Sequence, residues 1–139
     1  MDPLAMTEAQ WAGIVDDLAM LNGWRVFGVI NSTREITRRS GARIRVRNVN
    51  PAGVGFPDRV LVRARDRRLI FAELKRDKRA GGGGWAVQSE QAAWLEDLRA
   101  VSDRGAAHAY ADLPDGHPGL VEVFVWRPSD LERVKEVLR

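Results

Sequence analysis

Three charged side chains, Asp58, Glu73 and Lys75, terminate the two apolar runs of the segment GFPDRVLVRARDRRLIFAELK at 55–75. Charges at the end of what reads as a buried hairpin need a reason, because an uncompensated charge inside a protein is costly. A four-residue turn at 65–68, RDRR, would pair Ala64 with Leu69, Val60 with Glu73 and Asp58 with Lys75. Directly paired residues share a face and the strand period is two, so all three charges then emerge on one face at one end of the hairpin. Val60, Val62, Leu69 and Phe71 would continue that face into the core, and a slip of one residue would part Asp58 from the other two. Two carboxylates within diagonal reach repel each other unless something positive sits between them. A hard divalent cation suits them, since Mg²⁺ is typically held by one or two carboxylates together with waters and phosphate oxygens. Lys75 would then hold an attacking water or stabilise charge on a phosphate. For this pattern taken in isolation, a structural salt bridge between Lys75 and one carboxylate is the simpler account.

Two further polar residues sit where helices would bring them to the same place. Thr7-Glu8-Ala9-Gln10 has the form of a capping box, and Trp11, Ile14, Val15, Leu18 and Leu21 follow at helical spacing until Asn22-Gly23 ends the run. Glu8 lies three residues before Trp11 and so points inward from the first turn, although an acid there also suits the helix dipole. A second helix is predicted from about Ser89 to Val101, with Trp94, Leu95 and Leu98 on its apolar face. Gln91 shares that face, and a buried amide needs a partner. Both helix starts could reach the same end of the sheet.

The remaining elements follow from patterning. WRVFGVI at 24–30 is a strand, ARIRVRNV a short strand within an Arg-rich stretch, and the two runs of the hairpin come next. KRDKRAGGGG follows, and after the second helix AAHAYA and VEVFVW frame the turn LPDGHPG. Ser129-x-x-Glu132 caps a final helix carrying Leu131, Val134 and Leu138. Strands come in a run instead of alternating strictly with helices, which predicts an α/β fold with a mixed β-sheet flanked by α-helices. At 139 residues, 45% of them hydrophobic, the chain has the size of one domain with one core. The residues ahead of Met6 read as an extension outside that fold.

Composition narrows the function classes. The absence of cysteine excludes a disulfide scaffold, a thiol nucleophile and Cys-ligated zinc, and His108 and His117 are too few for a histidine cage. No apolar run reaches membrane-spanning length and no signal peptide is visible, so a cytoplasmic protein without a membrane partner is expected. The segment 33–47 carries six Arg against one Glu. Arg34, Arg38, Arg39, Arg43 and Arg45 suit phosphate contacts, with Arg76, Lys78 and Arg79 at the mouth of the proposed site, while a solvated basic loop would look the same in sequence.

GFPD, a strand, a basic turn, ELK, then S-x-Q-x-x-W-L and a terminal V-x-V-W-R-P-S-D-L, taken in order over 7–138, resemble the VRR-NUC branch of the PD-(D/E)xK nuclease superfamily in its short phage-encoded form. The resemblance implies a restriction-endonuclease-like core and a Mg²⁺- or Mn²⁺-dependent DNA endonuclease related to Holliday-junction resolvases, working in a bacterial or phage-infected cell and often as a homodimer. Carried over by position, Asp58 and Glu73 match the metal carboxylates, Lys75 the motif lysine, Gln91 the glutamine of the following helix, and Glu8 the acid of the first helix. Members often carry His at the end of the first strand, where this chain has Gly28, and the stretches 34–47 and 81–84 are longer than the minimal pattern. Two rival readings stand beside this one: a non-catalytic DNA-binding module of the same fold, and a metal-dependent nuclease acting on RNA.

Overall fold

The first helix begins where its capping chemistry requires. Thr7 Oγ1 accepts from the Gln10 backbone N–H at 3.1 Å, and Gln10 Oε1 accepts from the Thr7 N–H at 2.9 Å, so two of the orphan donors at the helix start are satisfied. Helix α1 then runs over Glu8–Leu21 and ends at Gly23, whose φ is 80°. Ahead of it, Pro3–Ala5 form a 3₁₀ turn and Met6 packs into the core. The computed structural model describes residues 2–28, 33–47, 53–78, 85–102 and 120–139.

After α1 come β1 (Arg25–Gly28), β2 (Thr33–Thr37), β3 (Arg43–Arg47), β4 (Arg59–Arg63) and β5 (Arg68–Leu74), then α2 (Ser89–Val101), β6 (Leu120–Trp126) and α3 (Leu131–Leu138). The main sheet has the order β1-β4-β5-β6: the first three are antiparallel neighbours, and β6 runs parallel to β5 after the crossover that carries α2. This is the mixed sheet with helices that the strand pattern predicts. Strands β2 and β3 form a separate antiparallel ribbon, with Arg45 opposite Glu35 and Arg43 opposite Thr37. The strand expected at 42–49 is therefore half of a hairpin, whose first arm alternates too briefly among charged residues to stand out in sequence. The predicted strand AAHAYA, the turn with His117, and the glycines at 81–84 lie outside the described residues. No described helix is long and apolar enough to cross a membrane.

The central hairpin pairs Val60 with Phe71 and Val62 with Leu69, two residues away from the predicted register. The loop still has four residues, but they are 64–67: a 3₁₀ turn at Ala64–Asp66 closes on Arg67 in the left-handed region at φ 53°. Arg68 belongs to the strand because its guanidinium is buried against the Glu122 carboxylate, at 2.9 and 3.1 Å, and lies over the Trp24 ring. A shift of two preserves the side-chain face, so Asp58, Glu73 and Lys75 keep their common side.

That side is not the one that enters the main core, contrary to the expectation from the apolar pattern. Leu61, Ile70, Ala72, Leu74 and Trp126, all buried, point to the other face, where Trp11, Val15 and Ala19 of α1 and Val134 and Leu138 of α3 cover them. Val62 is 42% exposed. Two indole N–H groups fasten the layers together: Trp11 Nε1 donates to Trp126 O at 3.0 Å and Trp24 Nε1 to Leu138 O at 2.8 Å. On the opposite face, α2 is seated through a T-shaped stack of Trp94 on Phe56 and Phe56 on Phe71. The predicted Ser129 cap of α3 is absent, since Ser129 donates its N–H and hydroxyl to the Asp77 carboxylate and the helix N-cap is Asp130.

Candidate functional site

The loop GFPD ends its run against the first turn of α2. Gly55 has φ +83°, and a Cβ on it would stand 2.5 to 2.8 Å from the main chain of Glu90 and Gln91, so only glycine lets the loop lie this close. Pro57 is buried, and Asp58 follows it immediately before β4. The close approach brings three pieces of chain together: the start of β4, the end of β5 and the N-terminus of α2.

Arg59 and Ala72 are the last paired residues of the ladder, and one step beyond them come Asp58 and Glu73. Asp58 Oδ2 accepts the Leu74 backbone N–H at 2.9 Å. Glu73 is 1% exposed. Its Oε1 accepts from Gln91 Nε2 at 2.6 Å and lies 3.3 Å from Lys75 Nζ. Its Oε2 is buried and has no hydrogen-bond partner among the described residues. Gln91 is held from both ends, because its Oε1 accepts the Gln88 N–H that opens α2 at 2.9 Å while its amide reaches Glu73. Lys75, also buried, is fixed through its backbone N–H, which donates to Trp126 O at 3.0 Å.

The electrostatics follow from this packing. Burial first, and the Asp58 charge second, push the Glu73 carboxyl up to about 7, against the opposing pull of Lys75. Burial also raises Asp58, while the Leu74 N–H, Lys75 and Arg59 work against the shift. Glu8 is solvent-exposed and does not point inward, as its spacing would have it. It nonetheless lies near enough to belong to the same field: partial desolvation, then the Asp58 charge, raise its pKa.

Asp58, Glu73, Lys75 and Gln91 are thus brought together, with Glu8 at the margin. Among the described residues no three acidic, histidine or cysteine side chains are gathered tightly enough to enclose an ion, so the arrangement offers a two-carboxylate edge and not a closed cage. Arg76 is half-buried, and its carbonyl accepts from Arg127. Lys78 is exposed and lies over the Trp85 ring at 4.7 Å. Arg38, Arg39 and Arg43 are exposed at the tip of the β2–β3 ribbon. Arg34 and Arg45 occupy strand positions in it, and Arg79 lies outside the described residues.

Sequence reading missed the residues that brace the site. Arg127 Nη1 donates to both Arg76 O, at 3.1 Å, and Trp85 O, at 2.8 Å, so it ties the chain before the glycine run to the chain after it. Asp77 anchors the same stretch to Ser129. Charged residues within WRPSD and ELKRD are a signal in themselves, but only the tertiary structure pairs them. The chain matches no family model, no curated protein and no solved structure in comparisons with known proteins.

The raised pKa of Glu73 has a stability consequence of definite sign. The folded protein holds the Glu73 proton up to about pH 7, whereas the ordinary value is 4.5, so folding becomes less favourable as pH rises between those two values. In EDTA, Glu73→Gln should melt with the wild type near the lower limit and clearly above it at about pH 8, where only the wild type carries the desolvated charge. Thermal melts across that range check this, and an offset independent of pH would contradict it.

Proposed function

We propose that the chain is a metal-dependent nuclease that hydrolyses DNA phosphodiesters, built on a restriction-endonuclease-like core. The observation that carries this reading is the Asp58–Glu73 pair: two carboxyls at the end of a central hairpin, with Glu73 presenting one buried oxygen that lacks a partner among the described residues and the other 3.3 Å from an ammonium. The order of helix, three antiparallel strands, helix and parallel strand agrees with such a core. DNA as the substrate, and structure-specific cutting of the kind a junction resolvase performs, come from the motif resemblance. The exposed arginines of the β2–β3 ribbon supply the phosphate-binding chemistry any nucleic acid would need.

The donor set fits a hard divalent cation. Asp58 and Glu73 would hold Mg²⁺ or Mn²⁺, with Glu8 near enough to contribute through water, and carboxylate oxygens are the ligands these ions prefer. Bound there, the ion would polarise the scissile phosphate and lower the pKa of a water. The protein's own part is positioning. Lys75 directs one N–H at Glu73 Oε1 and has two further donors with which to hold the attacking water or a phosphate oxygen. Gln91 fixes the rotamer of Glu73, and α2 fixes Gln91. The ribbon then holds the backbone of a duplex through contacts that carry no sequence information.

Two measurements test this. Incubation with branched, duplex and single-stranded DNA and with RNA, each with and without Mn²⁺, should give metal-dependent cleavage of DNA by the wild type. Lys75→Ala should lower that cleavage by about 10²-fold or more while DNA affinity stays nearly unchanged, because it removes a donor aimed at developing charge but only one of many basic groups. Undiminished cutting by the variant, or no cutting by the wild type, would remove the assignment.

Replacing Arg38 and Arg39 together by Ala should weaken binding to all DNA sequences alike. It should also flatten the log–log salt dependence by about 0.9 for each phosphate that the ribbon no longer neutralises. A filter-binding titration at several salt concentrations reads both, and an unchanged curve would make the ribbon tip an ordinary solvated turn.

A further inference from the structure

Asp16 and Arg59 lie beside the site without entering it. Arg59 follows Asp58 in the chain, and its charge is felt by the Asp58 carboxyl. A guanidinium within reach of a carboxylate favours a two-pronged ion pair, one of the strong contacts open to either group. Here the guanidinium is turned away. Its Nε donates to Asp16 Oδ1 at 2.7 Å and its Nη2 to Asp16 Oδ2 at 3.1 Å, across to α1. Its Nη1 donates at 3.0 Å to the main-chain oxygen of Asp58, not to the carboxylate, which takes the Leu74 N–H instead. Gly28 leaves the space this pose needs, since a Cβ there would stand 3.1 Å from Nη1 and 3.3 Å from Cζ of Arg59.

We propose that Asp16 is a positioning residue that holds Arg59 off the Asp58 carboxylate and so keeps that carboxylate open to a divalent cation. The inference rests on the reading above, in which Asp58 and Glu73 hold the ion. Without Asp16, the freed guanidinium has the Asp58 carboxylate as its adjacent partner, and an internal cation then competes with the external one. The bland alternative is a tie between helix and sheet: both side chains are partly exposed, at 16% and 28%, and such a pair contributes little beyond packing.

The two accounts differ in the sign of a double substitution. Asp16→Asn should weaken Mn²⁺ binding about 10- to 100-fold, the usual cost of losing a group that orients a metal ligand. Arg59→Met, which removes the competitor, should bind Mn²⁺ at least as well as the wild type. Asp16→Asn combined with Arg59→Met should recover to within about threefold of it, a non-additivity expected only of directly coupled residues. Titration calorimetry with Mn²⁺ alone, and melts with and without Mn²⁺, read this without any cleavage assay. If the three variants lose Mn²⁺ affinity alike, or if Asp16→Asn binds as the wild type does, the positioning role is overturned while the metal site stands. If Asp16→Asn fails to fold, Asp16→Ser and its combination with Arg59→Met replace it: weakened Mn²⁺ binding in the first that recovers in the second supports the proposal, and equal affinity in both overturns it. A wild type that binds no Mn²⁺ removes the site and this inference together.

Discussion

A carboxyl group buried at the end of a central strand is the constraint around which this fold is arranged. Glu73 sits on β5, between β4 and β6, with almost no exposed surface and with one oxygen unsatisfied among the described residues. Burial alone disfavours its charge, and Asp58 beside it disfavours the charge further, so the carboxyl is held up to about 7. A protein gains nothing in stability from such a pair. Replacing buried charges by apolar groups is commonly neutral or stabilising, and the pair makes physical sense where something outside the chain completes it.

The surrounding elements keep this unfavourable arrangement in place. Gly55 allows the loop before Asp58 to lie against α2, and the same helix start presents Gln91 to Glu73. Lys75 cannot leave, because its N–H is bonded to Trp126 O, and Trp126 O also accepts the Trp11 indole that seats α1 on the sheet. The stabilising contacts are concentrated elsewhere. At the other end of the hairpin, Arg63 bonds Asp66 and the carbonyls of Asn22, Leu138 and Arg139, Arg68 bonds Glu122, and both guanidiniums lie over Trp24. One end of the hairpin is compensated by ion pairs among the described residues, while the other holds two carboxyls that burial pushes above their ordinary pKa despite Lys75 beside them.

Much of this is legible in the residues. The Thr7 to Gln10 capping box, the extent of α2 and the shared side of Asp58, Glu73 and Lys75 follow from short-range pattern, which the local chain obeys. The register differs by two from the one the pattern predicts because Arg68 reads as a turn residue, and only its buried pairing with Glu122, 54 positions away, makes it a strand residue. The core side is hidden for a related reason: apolar residues occupy both faces of β4 and β5, and alternation cannot say which face α1 and α3 will cover. Glu8 matches the helical stripe yet lies at the very start of α1, where a first-turn side chain can stay in water. The Asp16–Arg59 and Arg127 braces join distant segments, and nothing in local sequence marks such pairs.

The central claim, that Asp58 and Glu73 crowd each other in order to hold a cation, is tested most directly by the melting temperature of Asp58→Asn against the wild type, measured in EDTA and again in millimolar Mn²⁺. Without metal, at about pH 8 where both carboxyls are charged, the variant is relieved of a like-charge repulsion and should melt at or above the wild type. With Mn²⁺ the order should reverse, since only the wild type has both carboxylates and binding to the folded state adds about 1.4 kcal/mol when free metal is roughly ten times its dissociation constant. A variant that melts below the wild type by the same margin in both conditions would contradict the account, and would make Asp58, Glu73 and Lys75 a structural ion cluster.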